Sequence, residues 1–434
     1  MFTYAETRKY LDSLINYEKT GFTSCEKDFD LAKIREALEI LGQDEQGYRS
    51  VHIAGTKGKG SISMFTSSIL QANGFNVGLF TSPHLICDRE RIRVNNEIIS
   101  EGDLSRALSY LQDKLGDSFC QDLTYFEIYT LMAVFYFSMK KVDFAVFETG
   151  MGGRLDATNV IDAEVCGISP ISYDHMSVLG DKIEQIASEK AAIIKRGACC
   201  ISSHQEDSVL GVIKQRCHDV DAPLSLVGRD ITYSVSHTGE EGNAFDVNGL
   251  EASYQVCSTR MLGSFQASNC AAAIGICEKL LGGKGVDTAK VKEGIKNAFI
   301  PGRMEILSRK PLMLIDGAQN ADSADKLKKS VEQIFKYDKL ILLLGLSEGK
   351  DIKGVCDELA SFADEIILTR ASVKRAQDPH IIRGYIRKRP VRVTKDVKEA
   401  LGVALDLAGE NDMILATGSF FLIGEVRRLL LRKR

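Results

Sequence analysis

A short glycine-rich loop is the first feature of this sequence whose residue types suggest chemistry. The segment VHIAGTKGKGS, residues 51–61, runs from an apolar stretch into three glycines and two lysines. Glycines let backbone N–H groups turn toward phosphate oxygens, and the N-terminus of a following helix adds partial positive charge. We therefore predict a nucleoside triphosphate site in which Lys59 contacts the β- and γ-phosphates. The predicted nucleotide loop consists of Gly55, Thr56, Lys57, Gly58, Lys59, Gly60 and Ser61.

The loop does not complete the Walker pattern G-x-x-x-x-G-K-[ST]. Gly60 follows Lys59, and the hydroxyl group arrives one residue later at Ser61. A glycine turn that only joins a strand to a helix is the alternative, but the succession of strand, loop and helix favours a nucleotide. The loop alone leaves a kinase, a GTPase or a motor ATPase open.

Carboxylate and imidazole groups follow two later apolar runs. Glu148 ends the run VDFAVFE, and Asp174 and His175 follow VCGISPIS. Open α/β sheets bind ligands at the carboxyl ends of their strands, so Glu148 is placed to ligate Mg²⁺ or to orient a water molecule. An acid in a solvated turn and a structural histidine are the alternatives. Lys190, in IEQIASEKAAIIK, is by default a solvated lysine on an amphipathic helix.

Two series of strand-like and helix-like segments must position these groups. Short apolar runs such as VHIAG, VGLF and FAVFETG alternate with helical periodicity, which indicates β-α-β units and a mostly parallel sheet. A second series, LMLIDGA to MILATG, begins after Pro301, where Pro301 and Gly302 stop a helix. We predict two α/β domains, residues 1–298 and 299–434. Polar alternation with several glycines over 223–256 predicts hairpins appended to the first domain.

The composition excludes several classes of protein. A chain of 434 residues with 44% apolar and 26% charged residues is a globular protein, and its net charge of −4 gives no footprint for nucleic acid. The basic residues near the C-terminus match the end of a helix. Eleven cysteines without metal-site pairs indicate reduced thiols. Without a signal peptide or an apolar run of roughly 20 residues, we expect a cytoplasmic protein with no membrane partner.

Nine runs together resemble one family over nearly the whole chain. In order they are VHIAGTKGKGS, TSPHL, RERIRVN, FETGMGGRLDATN, DHMSVLG, IASEKAAIIK, PGRMEI, IDGAQNADS and ATGSFFLIGEVR. This series resembles the folylpolyglutamate synthases and dihydrofolate synthases, relatives of the Mur ligases. The resemblance implies an N-terminal P-loop ATPase domain, a smaller Rossmann-like C-terminal α/β domain, and a nucleotide at their interface.

The resemblance also implies roles for single residues. Family members bind Mg²⁺ through residues that map onto Ser82, Glu148 and His175, so the magnesium role moves from Ser61 to Ser82. The carbamylated lysine of the family maps onto Lys190 and would reach a second magnesium. The residues implied in catalysis are Lys59, Glu148, His175 and Lys190; those implied in nucleotide binding beyond the loop are Asn269, Arg303 and Asp316; those implied near the substrate are Ser82, Pro83, His84, Arg91, Arg154 and Asp156.

Three positions depart from the family pattern. Lys57 stands where many bacterial members have asparagine, although lysine occurs in other branches. Phe265 and Gln319 replace histidines that would lie near the nucleotide, which leaves the detail of the base and phosphate contacts open. The residues of the phosphate loop and of the implied magnesium site are retained.

The activity implied by the resemblance is an ATP-dependent amide ligase that adds L-glutamate to the γ-carboxylate of a reduced folate through an acyl phosphate. Its substrates would be ATP, L-glutamate and a folate, or dihydropteroate if the chain is a dihydrofolate synthase, alone or in addition. A Mur-type ligase acting on a cell-wall precursor and a nucleotide-binding regulator without catalysis are the remaining alternatives. By likeness to relatives, we expect a monomer.

Overall fold

The computed structural model describes residues 2–20, 30–42, 47–282, 286–387 and 389–431. The strands are β1 Arg49–Ala54, β2 Val77–Phe80, β3 Ile92–Val94, β4 Glu97–Ile98, β5 Phe144–Glu148, β6 Val165–Ile168, β7 Cys199–Ser202, β8 Leu224–Leu226, β9 Thr232–Gly239, β10 Gly242–Asn248, β11 Ser253–Thr259, β12 Glu305–Arg309, β13 Leu312–Ile315, β14 Leu340–Leu344, β15 Glu365–Leu368, β16 Val391–Val393 and β17 Met413–Thr417.

The helices complete the two series. They are α1 Tyr4–Ser13, α2 Tyr17–Thr20, α3 Ala32–Ile40, α4 Lys59–Ala72, α5 Glu101–Leu115, α6 Asp117–Gln121, α7 Tyr125–Met139, α8 Met176–Leu179, α9 Ile183–Ala191, α10 Asp207–Asp219, α11 Phe265–Leu281, α12 Thr288–Asn297, α13 Ala321–Ile334, α14 Ile352–Leu359, α15 Pro379–Arg383, α16 Val397–Leu407 and α17 Phe420–Leu431. Short 3₁₀ turns occupy Asp88–Arg91 and Ala157–Val160.

The N-terminal sheet has eight strands in the order β4-β3-β2-β5-β1-β6-β7-β8. Its pairs are parallel from β2 to β8, and β3 and β4 add an antiparallel edge. Strands β1 and β5 are apolar and buried almost throughout, as strands covered by helices on both faces must be. The carboxyl ends of β1, β5 and β6 therefore meet at one edge, where the loops after them converge.

A three-stranded antiparallel sheet, in the order β11-β10-β9, follows the N-terminal sheet in the sequence. It lies within the segment where hairpins were predicted, although the third strand extends beyond Val256. Its inward side chains Phe245 and Val247 join the core beneath α4 and α11. The helix α4 is buried along nearly its whole length because it packs between the sheet and α11 and α12.

The C-terminal sheet has six strands in the order β12-β13-β17-β14-β15-β16. All its pairs are parallel except the β12–β13 hairpin. The strand β14, with the sequence LILLL, is fully buried between two apolar layers. The predicted fold class, two α/β domains with mostly parallel sheets, is confirmed. The predicted division at residues 298 and 299 falls between α12 and β12.

Several contacts join the two halves of the chain. Leu85, from the loop after β2, is buried in the core beneath α17, and a Cβ added at Gly424 would lie 2.1 Å from the Leu85 carbonyl oxygen. Glycine is therefore required at position 424 for this close approach. Arg428 of α17 also donates a 3.1 Å hydrogen bond to the Ile86 carbonyl. Within the described ranges, no helix is both long enough and apolar enough to cross a membrane.

Candidate active site

The glycine-rich loop after β1 has the backbone that its sequence predicts. Gly58, the residue before α4, has φ 89°, and Gly55 has φ 142°, both in a region that side chains rarely adopt. A Cβ at Gly58 would lie 2.6 Å from Asn269 Oδ1, and one at Gly55 would lie 1.9 Å from Ser169 Oγ. The loop is thus folded tightly against α11, and glycine is needed at both positions.

Two lysines share one acceptor in this loop. Lys59 Nζ and Lys190 Nζ donate hydrogen bonds of 3.1 and 3.0 Å to the Gly55 carbonyl oxygen. Lys190 comes from α9 and is buried. Burial, together with the charge of Lys59, lowers the pKa of the Lys190 amine to about 7. A substantial fraction of Lys190 is therefore neutral near pH 7. The solvated lysine expected from the helix pattern alone would be fully charged at this pH.

Glu148 is the last residue of β5, and its carboxyl group lies beside the first turn of α4. Its Oε2 accepts the backbone N–H of Ser82 at 3.1 Å, and its Oε1 lies 3.5 Å from where a Cβ of Gly60 would be. Burial raises the pKa of this carboxyl group, although Lys59 opposes that effect. The structure thus brings Glu148, Ser82 and the phosphate loop together, as predicted.

His175 precedes the one-turn helix α8 and has φ 50°. Burial lowers the pKa of its imidazole to about 4, with nearby lysines adding to the effect, so the ring is neutral near pH 7. Its neighbour Asp174 faces the other half of the chain, because Lys350 Nζ lies 3.5 Å from Asp174 Oδ1. A neutral imidazole can accept from a donor or ligate a metal.

The three predicted nucleotide residues beyond the loop come from different elements. Asn269 of α11 donates to Gln266 Oε1 at 2.9 Å and packs on Gly58. The Arg303 guanidinium lies 4.5 Å from the centroid of the Phe420 ring. Asp316, just after β13, accepts the N–H groups of Met304 and Ala318 at 2.9 and 2.8 Å, and burial raises the pKa of its carboxyl group.

A cleft of about 1530 Å³, including its open mouth, lies between the two halves of the chain. Ser82, Pro83, Arg154, Asp156 and His175 line it from the N-terminal half. Further lining residues are Ile15, Asn16, Glu18, Thr124, Phe126, Met151 and Glu189 on this side, and Gln319, Ser347, Lys350, Arg375, Ser419, Phe420 and Phe421 on the C-terminal side. Predicted substrate, metal and interdomain residues thus meet in one space.

Two predicted substrate residues lie behind the wall of the cleft. Arg91 is fully buried, and its guanidinium forms an ion pair with Glu18 and donates to His84 Nδ1 at 2.9 Å. It also lies 5.2 and 5.6 Å from the ring centroids of Tyr125 and Tyr129. The structure therefore places Arg91 and His84 as supports of the TSPHL loop and not in the cleft lining. Their substrate roles stay predictions.

The three departures from the family pattern have different surroundings. Lys57 forms an ion pair with Asp322 in the first turn of α13, so it joins the phosphate loop to the C-terminal half. Burial raises the pKa of the Asp322 carboxyl group, but the bond and charge of Lys57 outweigh it and the pKa lies below its usual range. Gln319 lines the cleft, whereas Phe265 is 41% exposed at the start of α11.

Sequence reasoning missed the groups that the C-terminal half contributes. Ser347, Lys350 and Arg375 lie in loops after β14 and β15 and reach the cleft. Arg375 donates a 2.5 Å hydrogen bond to the backbone oxygen of Glu18, at the opposite wall. The one signal available was position, because ligands bind beyond the carboxyl ends of parallel strands.

Comparison with known protein families gives two matches. The Mur ligase middle domain matches residues 53–277, and the Mur ligase glutamate ligase domain matches residues 302–420. A Bacillus subtilis dihydrofolate synthase/folylpolyglutamate synthase is 30% identical over 406 residues, which span 92% of this chain and 94% of the relative. The Saccharomyces cerevisiae dihydrofolate synthetase is also 30% identical, over 93% of this chain and 98% of that protein.

The chain belongs to the folylpolyglutamate synthase and dihydrofolate synthase family of Mur ligases. Two archaeal relatives are longer. The probable bifunctional folylpolyglutamate synthase/dihydropteroate synthase of Haloferax volcanii is 32% identical over 91% of this chain, and the chain spans 47% of that protein. The chain thus covers about half the length of these archaeal relatives and nearly all of the bacterial and yeast ones.

Solved structures of the family share the fold. A Mycobacterium tuberculosis folylpolyglutamate synthase complexed with ADP superposes with a TM-score of 0.90 at 28% identity, covering 99% of this chain and 98% of that one. An E. coli FolC in complex with DHPP and ADP superposes with a TM-score of 0.88 at 26% identity, again over 99% and 98% of the two chains.

Proposed function

We propose that this member of the family is an ATP-dependent ligase that joins L-glutamate to the γ-carboxylate of a reduced folate. The observation that carries the proposal is the convergence of Lys59, Lys190 and the buried Glu148 on the phosphate loop, which Glu148 joins through the Ser82 N–H to a cleft lined by both halves of the chain. Relatives complexed with ADP support nucleotide binding, and we place the nucleotide on the loop of residues 55–61, flanked by Asn269, Arg303 and Asp316.

The residues present fit magnesium. Glu148 is a carboxylate whose pKa burial raises, and it accepts the backbone N–H of Ser82, a residue whose side chain carries a hydroxyl group. Oxygen ligands of this kind suit Mg²⁺, and His175, neutral near pH 7, would complete the set. In the described ranges, no three side chains from His, Cys, Asp and Glu cluster as a metal site, so phosphate oxygens and water would supply the other ligands. Bound magnesium would neutralise charge on the transferring phosphoryl group.

Lys190 fits carbamylation because CO₂ adds only to a neutral amine. Its pKa of about 7 supplies that neutral amine at physiological pH, and the adjacent Lys59 ammonium would stabilise the resulting negative carbamate. The addition forms an N–C bond and releases one proton. A carbamate at position 190 would replace the repulsion between two ammonium groups by an attraction, and it would offer oxygen ligands to a second magnesium.

The reaction proceeds in two transfers. The γ-carboxylate oxygen of the folate attacks the γ-phosphorus of ATP, which forms an acyl phosphate and releases ADP. The amino group of glutamate then attacks the acyl carbon, the amide bond forms, and phosphate leaves with the loss of one proton to solvent. Lys59 compensates negative charge in the first transfer, and closure of the cleft excludes water from the acyl phosphate.

The two walls of the cleft suit the two remaining substrates. Ser82, Pro83, Arg154 and Asp156, with the ring of Phe126, would contact the folate. L-Glutamate brings two carboxylates, and the cations that face the cleft from the C-terminal half are Lys350 and Arg375. We place glutamate on that wall, so that its amino group points toward the phosphate loop.

Glutamate addition to dihydropteroate is the second candidate activity, because relatives carry the names of both enzymes. Incubation of the chain with ATP, Mg²⁺, L-glutamate and either tetrahydrofolate or dihydropteroate tests both. We expect phosphate release that depends on all three substrates, and the product mass identifies the acceptor. If ATP binds but neither acceptor gives phosphate release, the ligase proposal is wrong and a regulator is the better description.

Two further properties belong to the proposal. We propose a monomer, by likeness to relatives; light scattering of the purified protein at working concentration tests this. We propose a cytoplasmic location, in keeping with the unpaired thiols of the described cysteines. Fractionation of the source cells, followed by detection of the chain, tests the location.

A further inference from the structure

A buried polar chain runs from the centre of the N-terminal sheet to the cleft. His52 lies in the middle of β1 and is fully buried, between Phe147 of β5 and Cys166 of β6. Its Nε2 lies 2.7 Å from the hydroxyl oxygen of Thr158, in the 3₁₀ turn that begins within the GGRLDATN run. The Thr158 hydroxyl in turn donates a 2.5 Å hydrogen bond to Asp156 Oδ1.

The geometry shows which atoms of the series His52, Thr158 and Asp156 carry the protons. A threonine hydroxyl has one proton, and here Asp156 receives it. The close contact with Thr158 therefore requires His52 to donate from Nε2, which leaves Nδ1 unprotonated. That nitrogen is buried without a hydrogen-bond partner among the described groups, and burial lowers the pKa of the ring to about 3. His52 is thus a neutral donor.

Asp156 is held through both of its oxygens. Oδ1 accepts the Thr158 hydroxyl and the Thr158 N–H, the latter at 3.0 Å, and Oδ2 accepts the Met151 N–H at 2.8 Å. Asp156 is only 7% exposed, yet it lines the cleft beside Phe126 and Ala157. A carboxylate in such a pocket keeps its orientation and its charge only through the donors around it.

We propose that His52 and Thr158 are positioning residues that fix the Asp156 carboxylate for recognition of N–H donors on the folate substrate. The inference rests on the proposed function, since it assigns the acceptor side of the same reaction. His52 has no contact with the cleft itself and acts through Thr158. The burial of a neutral histidine in the central strand is thereby explained, because a purely apolar side chain could not hold the Thr158 hydroxyl toward Asp156.

The test compares Thr158→Val with Thr158→Ser. Valine keeps the volume and removes the hydroxyl, whereas serine keeps the hydroxyl. A hydrogen bond to a charged group is worth enough to change binding by about tenfold. We expect Thr158→Val to raise the KM for the acceptor, tetrahydrofolate or dihydropteroate, about tenfold, with the KM values for ATP and glutamate unchanged. Thr158→Ser should stay within about twofold of the wild type.

The matched pair at the other end is His52→Phe and His52→Gln. Glutamine can still donate to Thr158, whereas phenylalanine keeps the ring without a donor. We expect His52→Phe to raise the acceptor KM by a smaller factor than Thr158→Val, and His52→Gln to restore it. If each variant and its matched partner lose the same melting temperature, and all three KM values rise equally, the two residues have a structural role only and the inference is overturned. An unchanged acceptor KM in Thr158→Val would overturn it as well.

Calorimetric titration of the acceptor without ATP separates this inference from the proposed function. A Kd about tenfold weaker in Thr158→Val than in the wild type supports the positioning role whether or not turnover occurs. Acceptor binding without turnover in the wild type would overturn the ligase proposal alone. If the wild type binds neither acceptor and turns over neither, both proposals fall.

Discussion

The two walls of the cleft are built on different principles. On the N-terminal side, Asp156 in the cleft lining and Glu148 and Lys190 at the neighbouring phosphate loop are almost excluded from solvent and have shifted pKa values. The C-terminal wall presents Lys350 and Arg375 from loops: the Lys350 side chain is 10% exposed and lies 3.5 Å from Asp174, and Arg375 donates to the Glu18 carbonyl oxygen. The N-terminal side thus fixes its charges on strand and helix positions, whereas the C-terminal wall presents its cations from loops between elements.

This difference matches the two tasks of the proposed reaction. Phosphoryl transfer needs charges fixed in advance in a dry site, because reorganisation during the reaction is costly. Capture of a free amino acid needs complementary charge that a closing domain can deliver. The ion pair between Lys57 and Asp322 joins the phosphate loop to the C-terminal half, and the bond from Arg375 to the Glu18 carbonyl oxygen joins the two walls of the cleft.

The largest effect is expected on the N-terminal wall. Lys59→Ala and Glu148→Ala should each lower glutamate-dependent phosphate release by about a thousandfold or more, because each removes a fixed charge from phosphoryl transfer. The measurement is turnover at saturating substrates, and circular dichroism should show an intact fold. Near-normal turnover in both variants would refute the site assignment.

On the C-terminal wall, Lys350→Met should raise the KM for L-glutamate about 10- to 100-fold, since a charged hydrogen bond to a carboxylate is lost. The kcat at saturating glutamate should fall much less. Lys353→Met is the matched control, because Lys353 lies on the same loop and helix start but pairs with Asp357 at the surface. Equal effects of the two substitutions would remove Lys350 from the glutamate site.

A third test concerns the burial of Lys190. Its pKa is about 7 in the folded chain, whereas the ordinary value for a solvated lysine, taken for the unfolded chain, is 10.5. Between these two pH values the unfolded chain therefore binds a proton that the folded chain does not. Stability must then rise with pH in this window, by up to about 1.4 kcal/mol per pH unit. Urea unfolding at pH 7, 8 and 9 under CO₂-free conditions should show this slope.

The control for that test is Lys190→Met, which should lack the extra slope between pH 7 and 9. Addition of bicarbonate offers a second measurement, because ¹³C-labelled CO₂ should give a carbamate carbon resonance in the wild type and none in Lys190→Met. Identical pH slopes for the two proteins would mean that Lys190 is solvated, contrary to its burial beside the Gly55 carbonyl oxygen.

The smallest effect is expected where the two walls meet. Asp322→Asn should raise the KM for ATP only about two- to fivefold, because the Lys57 pair is partly exposed and such pairs contribute little. The difference from wild type should shrink at high salt. Asp325→Asn, which breaks an exposed pair within the same helix, is the control. A loss as large as that of Lys59→Ala would place the ion pair inside the catalytic machinery.

Much of the fold followed from local pattern. The buried runs VHIAG and FAVFE and the helix after the phosphate loop lie close to where the alternation predicted them, because strand and helix periodicities and glycine turns are local properties. The position of Glu148 at the end of a strand was likewise visible, since parallel strands deliver their carboxyl ends to one edge, whereas Asp316 was implied only by the family resemblance.

Contacts between distant segments were not visible. No local pattern shows that Arg91 faces Glu18 and His84 and so leaves the cleft lining, or that Lys350 approaches Asp174. These pairs depend on how whole elements pack. His52 likewise looked like one more residue of an apolar strand until its neighbour Thr158 was placed.

The sequence by itself determined the glycine loop at residues 51–61, the two α/β series and the residue types available for chemistry. Only the tertiary structure decided that Lys59 and Lys190 share the Gly55 carbonyl and that Lys190 is buried beside a second cation. The physical reason is that periodicity and glycine positions determine where strands, helices and turns form. Desolvation and charge pairing instead depend on contacts between distant segments, such as Gly55 and Lys190, which are 135 residues apart. The loop supplies the phosphate-binding backbone, and its chemistry is set by what packs against it.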